Sequence, residues 1–406
     1  MQTSLLALRP YRHLLASRLG SSLSYQMLAV AVGWQMYDLT HSALKLGLIG
    51  IAQFAPQLLL TLVVGHVADR YDRRRIVAVC QFLQCVVGLA LAVGSFLHQL
   101  APAALYAGAF CIGMARAFEN PSLQALTPSL VSEAQLPQAL ATNSALMQAA
   151  IISGPALGGF IYAIGPDAVY LSTATFWLIA ALAMSTLPLV RKVEHKAPAT
   201  LDFLFGGIRY IRERRIILGA ISLDLFAVLL GGATALLPIY ARDILHTGPW
   251  GMGILRSAPA LGALSMSVYL ARHPLRRNVG KIMFGAVATF GVATIVFGLS
   301  HYFAVSLVAL AVLGASDMIS VVVRSSLVQL ETPDAMRGRV SAVSSIFIGA
   351  SNQLGEFESG ASAALLGAVP AVVVGGLGTL VVVALWMRWF PELAQRQALA
   401  SGVKPG

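Results

Sequence analysis

Eight ionisable residues interrupt stretches that are otherwise apolar: Arg116, Glu119, Asp224, Arg256, Asp317, Arg324, Glu356 and Glu358. Each stretch is long enough to cross a bilayer, which takes ~20 apolar residues. A charge in hydrocarbon costs ~2.5 to 3.5 kcal/mol on insertion scales, so such residues face a cavity or a partner and mark the route of an ion or polar solute. Arg116 and Glu119, three apart on a helix, share a face and are spaced to pair with each other. Asp317 falls near mid-membrane, with Arg324 two turns further along its face. Glu356 and Glu358, two apart, point in roughly opposite directions, so only one of them faces a cavity.

The elements that must hold these groups are transmembrane helices. Of 406 residues 57% are hydrophobic and 11% charged, too little polar surface to coat a water-soluble globule of this size. Apolar runs place helices near 14–38, 46–69, 76–97, 101–127, 138–164, 168–190, 216–240, 249–271, 280–300, 302–328, 338–367 and 369–390. Loop charges test the orientation, because Lys and Arg near span ends stay on the cytoplasmic side. Twenty-three of the 28 Lys and Arg fall in alternate breaks, two (Lys45 and Arg242) fall on the opposite side, and three lie within spans. Both chain ends are therefore expected in the cytoplasm.

The net charge of +11 is spread over these breaks, not gathered in a patch, which argues against nucleic acid. Cys80, Cys85 and Cys111 lie in apolar segments, and the eight His are scattered, so neither a disulfide framework nor a metal site is expected. Arg9, Arg12 and Arg18 lead into a long apolar run without a small-residue cleavage site, the pattern of a retained first helix.

The longest internal break, 191–215, divides the spans six and six. Within it Leu201, Phe205, Ile208 and Ile211 recur at helical spacing with Arg209, Arg212 and Arg214 on other faces, the mark of a basic amphipathic helix at the inner leaflet. Repeated passages support the division. Gly47-Leu48-Ile49 with Ala55-Pro56 resembles Gly253-Ile254-Leu255 with Ala258-Pro259, and an offset of about two hundred residues sets Glu133 beside Asp334 and Gly154 beside Gly355. The same offset puts Asp317 opposite Arg116, as though the two flanked one cavity. The expected organisation is a six-helix bundle over 1–190, a linker over 191–215, a second bundle over 216–392 and a cytoplasmic tail over 393–406.

After the second span the chain reads Gly65-His66-Val67-Ala68-Asp69-Arg70-Tyr71-Asp72-Arg73-Arg74-Arg75. This resembles the signature loop of the major facilitator superfamily, with Asp72 where Gly is more usual. Gly65 permits close helix approach, Asp69 can cap a neighbouring helix end, and Arg70, Arg73 and Arg74 can pair with acids on facing helix ends, a latch that breaks and reforms. Gly154-Pro155-Ala156-Leu157-Gly158-Gly159 resembles the Gly-Pro motif of the antiporter branch, in which small residues pack closely and the proline bends the helix.

Leu126-Thr127-Pro128-Ser129-Leu130-Val131, Gly207-Ile208-Arg209-Tyr210 and Thr332-Pro333-Asp334-Ala335-Met336-Arg337-Gly338-Arg339 extend the likeness over most of the chain, to the branch of enterobactin exporters and drug-efflux pumps. The Arg expected early in the fourth span would fall near Ala109. Glu356 matches an acid of that branch, which makes it the first candidate for a proton carrier, with Asp317 the second.

The resemblance implies an all-α major facilitator fold of about twelve transmembrane helices in two six-helix pseudo-repeat bundles, in a bacterial cytoplasmic membrane. It implies a monomer exporting a small amphipathic or aromatic, siderophore-like molecule by alternating access with proton coupling. The alternative within transport is a broad multidrug or macrolide efflux pump, and a more remote one is a non-transporting receptor or scaffold. Tyr25, Trp34, Tyr37 and Trp177 are rings on which an aromatic substrate could stack, although belt and packing roles suit them better. No Walker-type loop is present, so ATP is not the expected energy source. An enzyme is not expected, since no His, Ser and acid cluster gathers at a span end. No cofactor is called for.

Overall fold

The computed structural model describes residues 5, 8–188, 201–275 and 277–399; the side chains of 61, 62, 65, 66, 68, 69 and 201–204 lie outside that description. The described residues are helical throughout, without a strand. In chain order the helices are α1 (Arg9–Thr40), α2 (Ala43–Arg70), α3 (Arg73–Phe96), α4 (Pro102–Leu130), α5 (Leu136–Tyr162) and α6 (Pro166–Ser185). There follow α7 (Leu201–Glu213), α8 (Arg215–Leu230), the single turn α9 (Leu237–Ile239), α10 (Gly248–Arg272), α11 (Val279–Leu299), α12 (Phe303–Glu331), α13 (Asp334–Leu366), α14 (Ala368–Trp389) and the short α15 (Pro391–Ala394).

Among the described residues nine stretches are long and apolar enough to cross a membrane. α1, α4 and α13 are long enough as well, at 32, 29 and 33 residues, but carry too many polar groups to qualify by composition. Their buried faces explain this. α1 buries Ser17, Ser21, Ser22, Ser24 and Gln35, and α4 buries Glu119, Ser122 and Thr127. A polar residue turned inward against a partner avoids lipid, so these helices read as less apolar while spanning the same thickness.

Two compact units divide the chain: 1–41, 51–198 and 247–257 form the first, and 42–50, 199–246 and 258–406 the second. Each is built by one packing plan. In the first, α3 packs on α4 and α6, and α1 on α5 and α6; in the second, α11 packs on α12 and α14, and α8 on α13 and α14.

One crossing is also made twice. A Cβ on Gly253 would meet Gly159 and Ala156 of α5, and a Cβ on Gly47 would meet Gly360 and Phe357 of α13, each at 3.1 to 3.2 Å. Glycines at 47, 159, 253 and 360 let backbone lie on backbone, and they occupy matching places in the sequence repeat.

One local feature departs from the sequence reading, and two others add detail to it. The seventh span is not one helix over 216–240. α8 stops at Leu230, Gly231-Gly232 break it, and a 3-10 stretch (Ala233–Leu236), α9 and a π turn (Tyr240–Ile244) carry the chain on. A side chain at Gly231 would strike the Phe290 ring, and one at Gly232 the Gly355 carbonyl, so close packing on α11 and α13 selects two poor helix formers there.

The basic amphipathic helix forms as α7, and residues 189–200 before it lie outside the described residues. It is docked on its own unit: Ile211 joins Ile217, Val340 and Val343 in a buried cluster, Gly207 lies against Arg339, and Tyr210 Oη donates to the Glu331 carbonyl at 3.0 Å. Phe205, Arg209 and Arg212 stay exposed.

The described part of the segment expected as the cytoplasmic tail, up to residue 399, packs on its own unit. Leu393 is buried, Arg396 pairs with Glu331, and the first amides of α11 donate to it, Gly280 N–H to the Arg396 carbonyl at 2.9 Å.

Candidate functional site

In the first unit the centre of the polar interior is Glu119, with no solvent exposure. Ser17 and Ser21 of α1, four apart, and Gln81 and Gln84 of α3, three apart, each share a helix face, so both helices bring neutral polar groups to Glu119 of α4 or to its partners. Ser21 Oγ donates to Glu119 Oε1 at 2.6 Å, Gln81 Nε2 to the same oxygen at 2.9 Å and Gln84 Nε2 to Oε2 at 2.7 Å. Gln81 in turn bonds Ser17 at 2.8 Å. Three hydrogen bonds to a charged acceptor, at about 1.5 to 3 kcal/mol each, match the several kcal/mol that burying a carboxylate costs.

Arg116 does not pair with Glu119, although the spacing allowed it. Glu119 turns into the bundle, where several donors outcompete one flexible guanidinium. Arg116 instead lies over the Tyr25 ring of α1, 3.8 Å from its centroid. Tyr25 Oη donates to Gln53 Oε1 of α2 at 3.3 Å. Gln53 reaches that place because α2 and α4 touch at Gly113, where any Cβ would run into the Gln53 carbonyl.

Among the described residues Arg116 has no carboxylate partner, and neither does Arg256 in α10. A cation over a ring face gains about 0.5 to 2 kcal/mol, less than the ~2.5 to 3.5 kcal/mol an intramembrane charge costs. Arg116 thus has a ring contact and, among the described residues, no anion against it. Arg18, counted from sequence as a flanking charge, lies more than two turns inside α1. It is within electrostatic reach of Glu119 and lines a small cavity with Ser22 and Asn143.

The second unit solves the same problem differently. Asp224 of α8 pairs with Arg324 of α12, both nearly fully buried, and accepts a further bond from Ser320 at 3.3 Å. A cavity of about 10 Å³, room for one water-sized occupant, is lined by Asp224, Ser316, Asp317, Ser320, Val287 and Phe290. Asp317 shares this cavity while the one nearby arginine is held by Asp224. Among the described residues Asp317 has no hydrogen-bond or ion-pair partner of its own. The cavity lies just before the Gly231-Gly232 break, at the C-terminal end of α8.

Glu356 and Glu358 diverge as their spacing requires. Glu356 sits where α13 crosses the first turns of α2, and only a glycine at position 50 leaves room for it: a Cβ there would lie 2.9 Å from Glu356 Oε2. Glu358 is half-buried, near Ser362 of its own helix, whose hydroxyl donates to the Ser359 carbonyl at 3.2 Å.

Of the signature loop, the side chains of Gly65 and Asp69 lie outside the described residues. Arg70 is exposed. Arg74 pairs with Asp72 and not with an acid on a facing helix; it also donates to the Leu187 carbonyl just beyond α6, at 2.6 Å. Asp72 caps α3 by accepting the Arg74 amide at 3.0 Å, and the Arg74 guanidinium holds its carboxyl below the usual value of 3.8. In the Gly-Pro motif, Gly154 and Gly158 face Gln26 and Met27 of α1, while Gly159 faces α10; α5 runs on through Pro155. Gln81, Gln84, the α1 serines, Gln53 and Ser320 were not singled out from sequence. Charge was the signal used there, and these side chains are neutral.

Long helices in a repeated packing plan, with charges held in their interior, are the build of a multi-pass membrane transporter. The chain belongs to the transmembrane secretion effector family of the major facilitator superfamily, whose model matches residues 3–402. It is similar to the enterobactin exporter of Citrobacter koseri, 27% identical over 398 residues that cover 97% of this chain and 95% of the relative. The enterobactin exporter of Shigella dysenteriae is 25% identical over 396 residues, with the same coverage.

Solved structures share the fold. A bacterial ferroportin homologue in an inward-facing state superposes with TM-score 0.73 at 19% identity, over 97% of this chain and 100% of that one. A bacterial Spinster homologue, also inward-facing, gives 0.75 at 13% identity, over 95% and 98%. The protein is thus a multi-pass membrane transporter of small molecules, not an enzyme.

Proposed function

We propose that this protein is a secondary active exporter that moves a small amphipathic or aromatic, siderophore-like molecule out of the bacterial cytoplasm by alternating access, in exchange for protons. The observation that carries the reading is the segregation of uncompensated charge. The first unit holds the intramembrane cations Arg116 and Arg256 without acids, and the second holds Asp317 beside an arginine already committed to Asp224. A substrate anion suits the first arrangement and a proton the second.

In this scheme Asp317 takes a proton from the outer side, becomes neutral, and releases it to the cytoplasm when the cavity opens inward. The Asp224–Arg324 pair stays intact and keeps the local charge near zero. Glu356, at the α2–α13 crossing, is the second proton candidate, since its charge sits where two helices touch. The Gly231-Gly232 break gives α8 a place to move relative to the segment that follows it. The protein works as a monomer in the inner membrane with both ends cytoplasmic, the side that collects twenty-three Lys and Arg. The siderophore-like substrate follows the names of the relatives and fits the cation and ring that meet at Arg116 and Tyr25.

Enterobactin is the first compound to test. Inverted vesicles containing the protein should accumulate it when a proton gradient is imposed, and Asp317→Asn should abolish that accumulation. Accumulation of cationic dyes and macrolides in preference to enterobactin would replace this reading with broad drug efflux. Binding without flux of any of these compounds would make the protein a receptor.

A further inference from the structure

Tyr25, Gln53 and Arg116 come from three different helices of the first unit and meet at one place. α1 supplies the ring, α4 the guanidinium and α2 the amide that fixes the ring's hydroxyl. The meeting has its own packing provision in Gly113, one turn before Arg116, where α4 lets α2 touch its backbone and so brings Gln53 within reach of Tyr25. All three side chains are partly exposed, not sealed in the core as Glu119 is. Among the described residues the Arg116 guanidinium makes this ring contact and no hydrogen bond, which leaves unspent the N–H fork that binds carboxylates. No carboxylate among the described residues fills that fork, and the nearest acid in sequence, Glu119, is saturated by neutral donors.

We propose that Arg116, Tyr25 and Gln53 form the subsite that receives the anionic end of an aromatic substrate. Arg116 donates to the carboxylate or phenolate oxygens, Tyr25 offers a ring for stacking, and Gln53 holds Tyr25 in place. The assignment rests on the transport reading above and specifies which residues recognise the cargo. A pair serving only to pack α1 against α4 would need neither the partial exposure nor the glycine that admits α2.

The test is binding to the purified full-length protein in nanodiscs, with three probes: salicylate, the uncharged salicylamide of the same ring, and cyclohexanecarboxylate, which keeps the charge without the aromatic ring. Salicylate should bind about tenfold more tightly than either of the others. Arg116→Gln should erase the preference over salicylamide, and Tyr25→Leu the preference over cyclohexanecarboxylate. Tyr25→Phe, which keeps the ring, should stay within about threefold of the native protein. If Arg116→Gln does not fold, Arg116→Lys takes its place; it keeps the charge but not the fork, and should lose about threefold on salicylate alone.

A native protein with no preference for salicylate, or an arginine variant that keeps the full native preference, overturns the proposal. Flux in the same preparation separates the two readings. Arginine-dependent salicylate binding without transport of any solute removes the export reading and keeps the subsite. Enterobactin export that is unchanged in Arg116→Gln keeps export and removes the subsite.

Discussion

The two units bury a carboxylate at comparable depth and satisfy it by opposite means. Glu119 is ringed by Ser21, Gln81 and Gln84, all neutral, so its charge is fixed in place without consuming an arginine. Asp224 is held by Arg324, and that pairing leaves the neighbouring Asp317 without an ion pair of its own among the described residues. Under the proposed exchange of substrate for protons, the contrast assigns the two roles to different units. In the first unit the cations are left over, and in the second an acid is. A transporter that must bind an anion and a proton in turn has use for both remainders.

The largest expected effect breaks the second arrangement. Asp224→Ala breaks the buried pair, leaves Arg324 only the more distant charge of Asp317, and should destabilise the protein by about 3 to 5 kcal/mol, read as a fall in melting temperature in detergent. Replacing both partners, Asp224→Leu with Arg324→Met, should recover most of that loss. The matching change in the first unit is milder. Glu119→Gln keeps one acceptor for the amides and sheds the charge, and should cost about 1 to 3 kcal/mol. Equal losses for Asp224→Ala and Glu119→Gln would erase the distinction between the units.

A third change tests the packing that places Gln53. Gly113→Val forces α2 away from α4 and should cost about 1 to 3 kcal/mol, with salicylate binding lost in parallel. The smallest effect concerns the loop after α2. Since Arg74 lowers the Asp72 pKa, the pair adds stability that is fully present above the unfolded value of 3.8 and fades as pH falls through the folded-state value beneath it. Acid unfolding below pH 3.8 should therefore be less steep in Asp72→Asn than in the native protein.

Much of the fold was legible because lipid imposes length on the helices that cross it. The three helices that fail an apolar test, α1, α4 and α13, were still recognisable as spans, since runs of small polar residues break hydropathy less than charges do. The break in the seventh span was not foreseen. Gly231-Gly232 reads as an ordinary membrane glycine pair until the Phe290 ring and the Gly355 carbonyl are seen pressed against it.

The candidate site was half legible. Charges in the middle of apolar runs were conspicuous, whereas Arg18, more than two turns inside α1, was read as a flanking charge. Their partners were found less well: Arg116 was matched with Glu119 by spacing alone, whereas the neutral amides of Gln81 and Gln84, three residues apart on another helix, decide where Glu119 points. Asp224 and Arg324 are a hundred residues apart in sequence, and no local pattern joins them.

The most direct test of this division of labour separates proton coupling from substrate movement. Proteoliposomes carrying Asp317→Asn should still exchange labelled enterobactin for unlabelled enterobactin at close to the native rate, because exchange needs no proton. They should fail to accumulate it when a pH gradient is applied. Gradient-driven accumulation by Asp317→Asn at the native level would contradict the account.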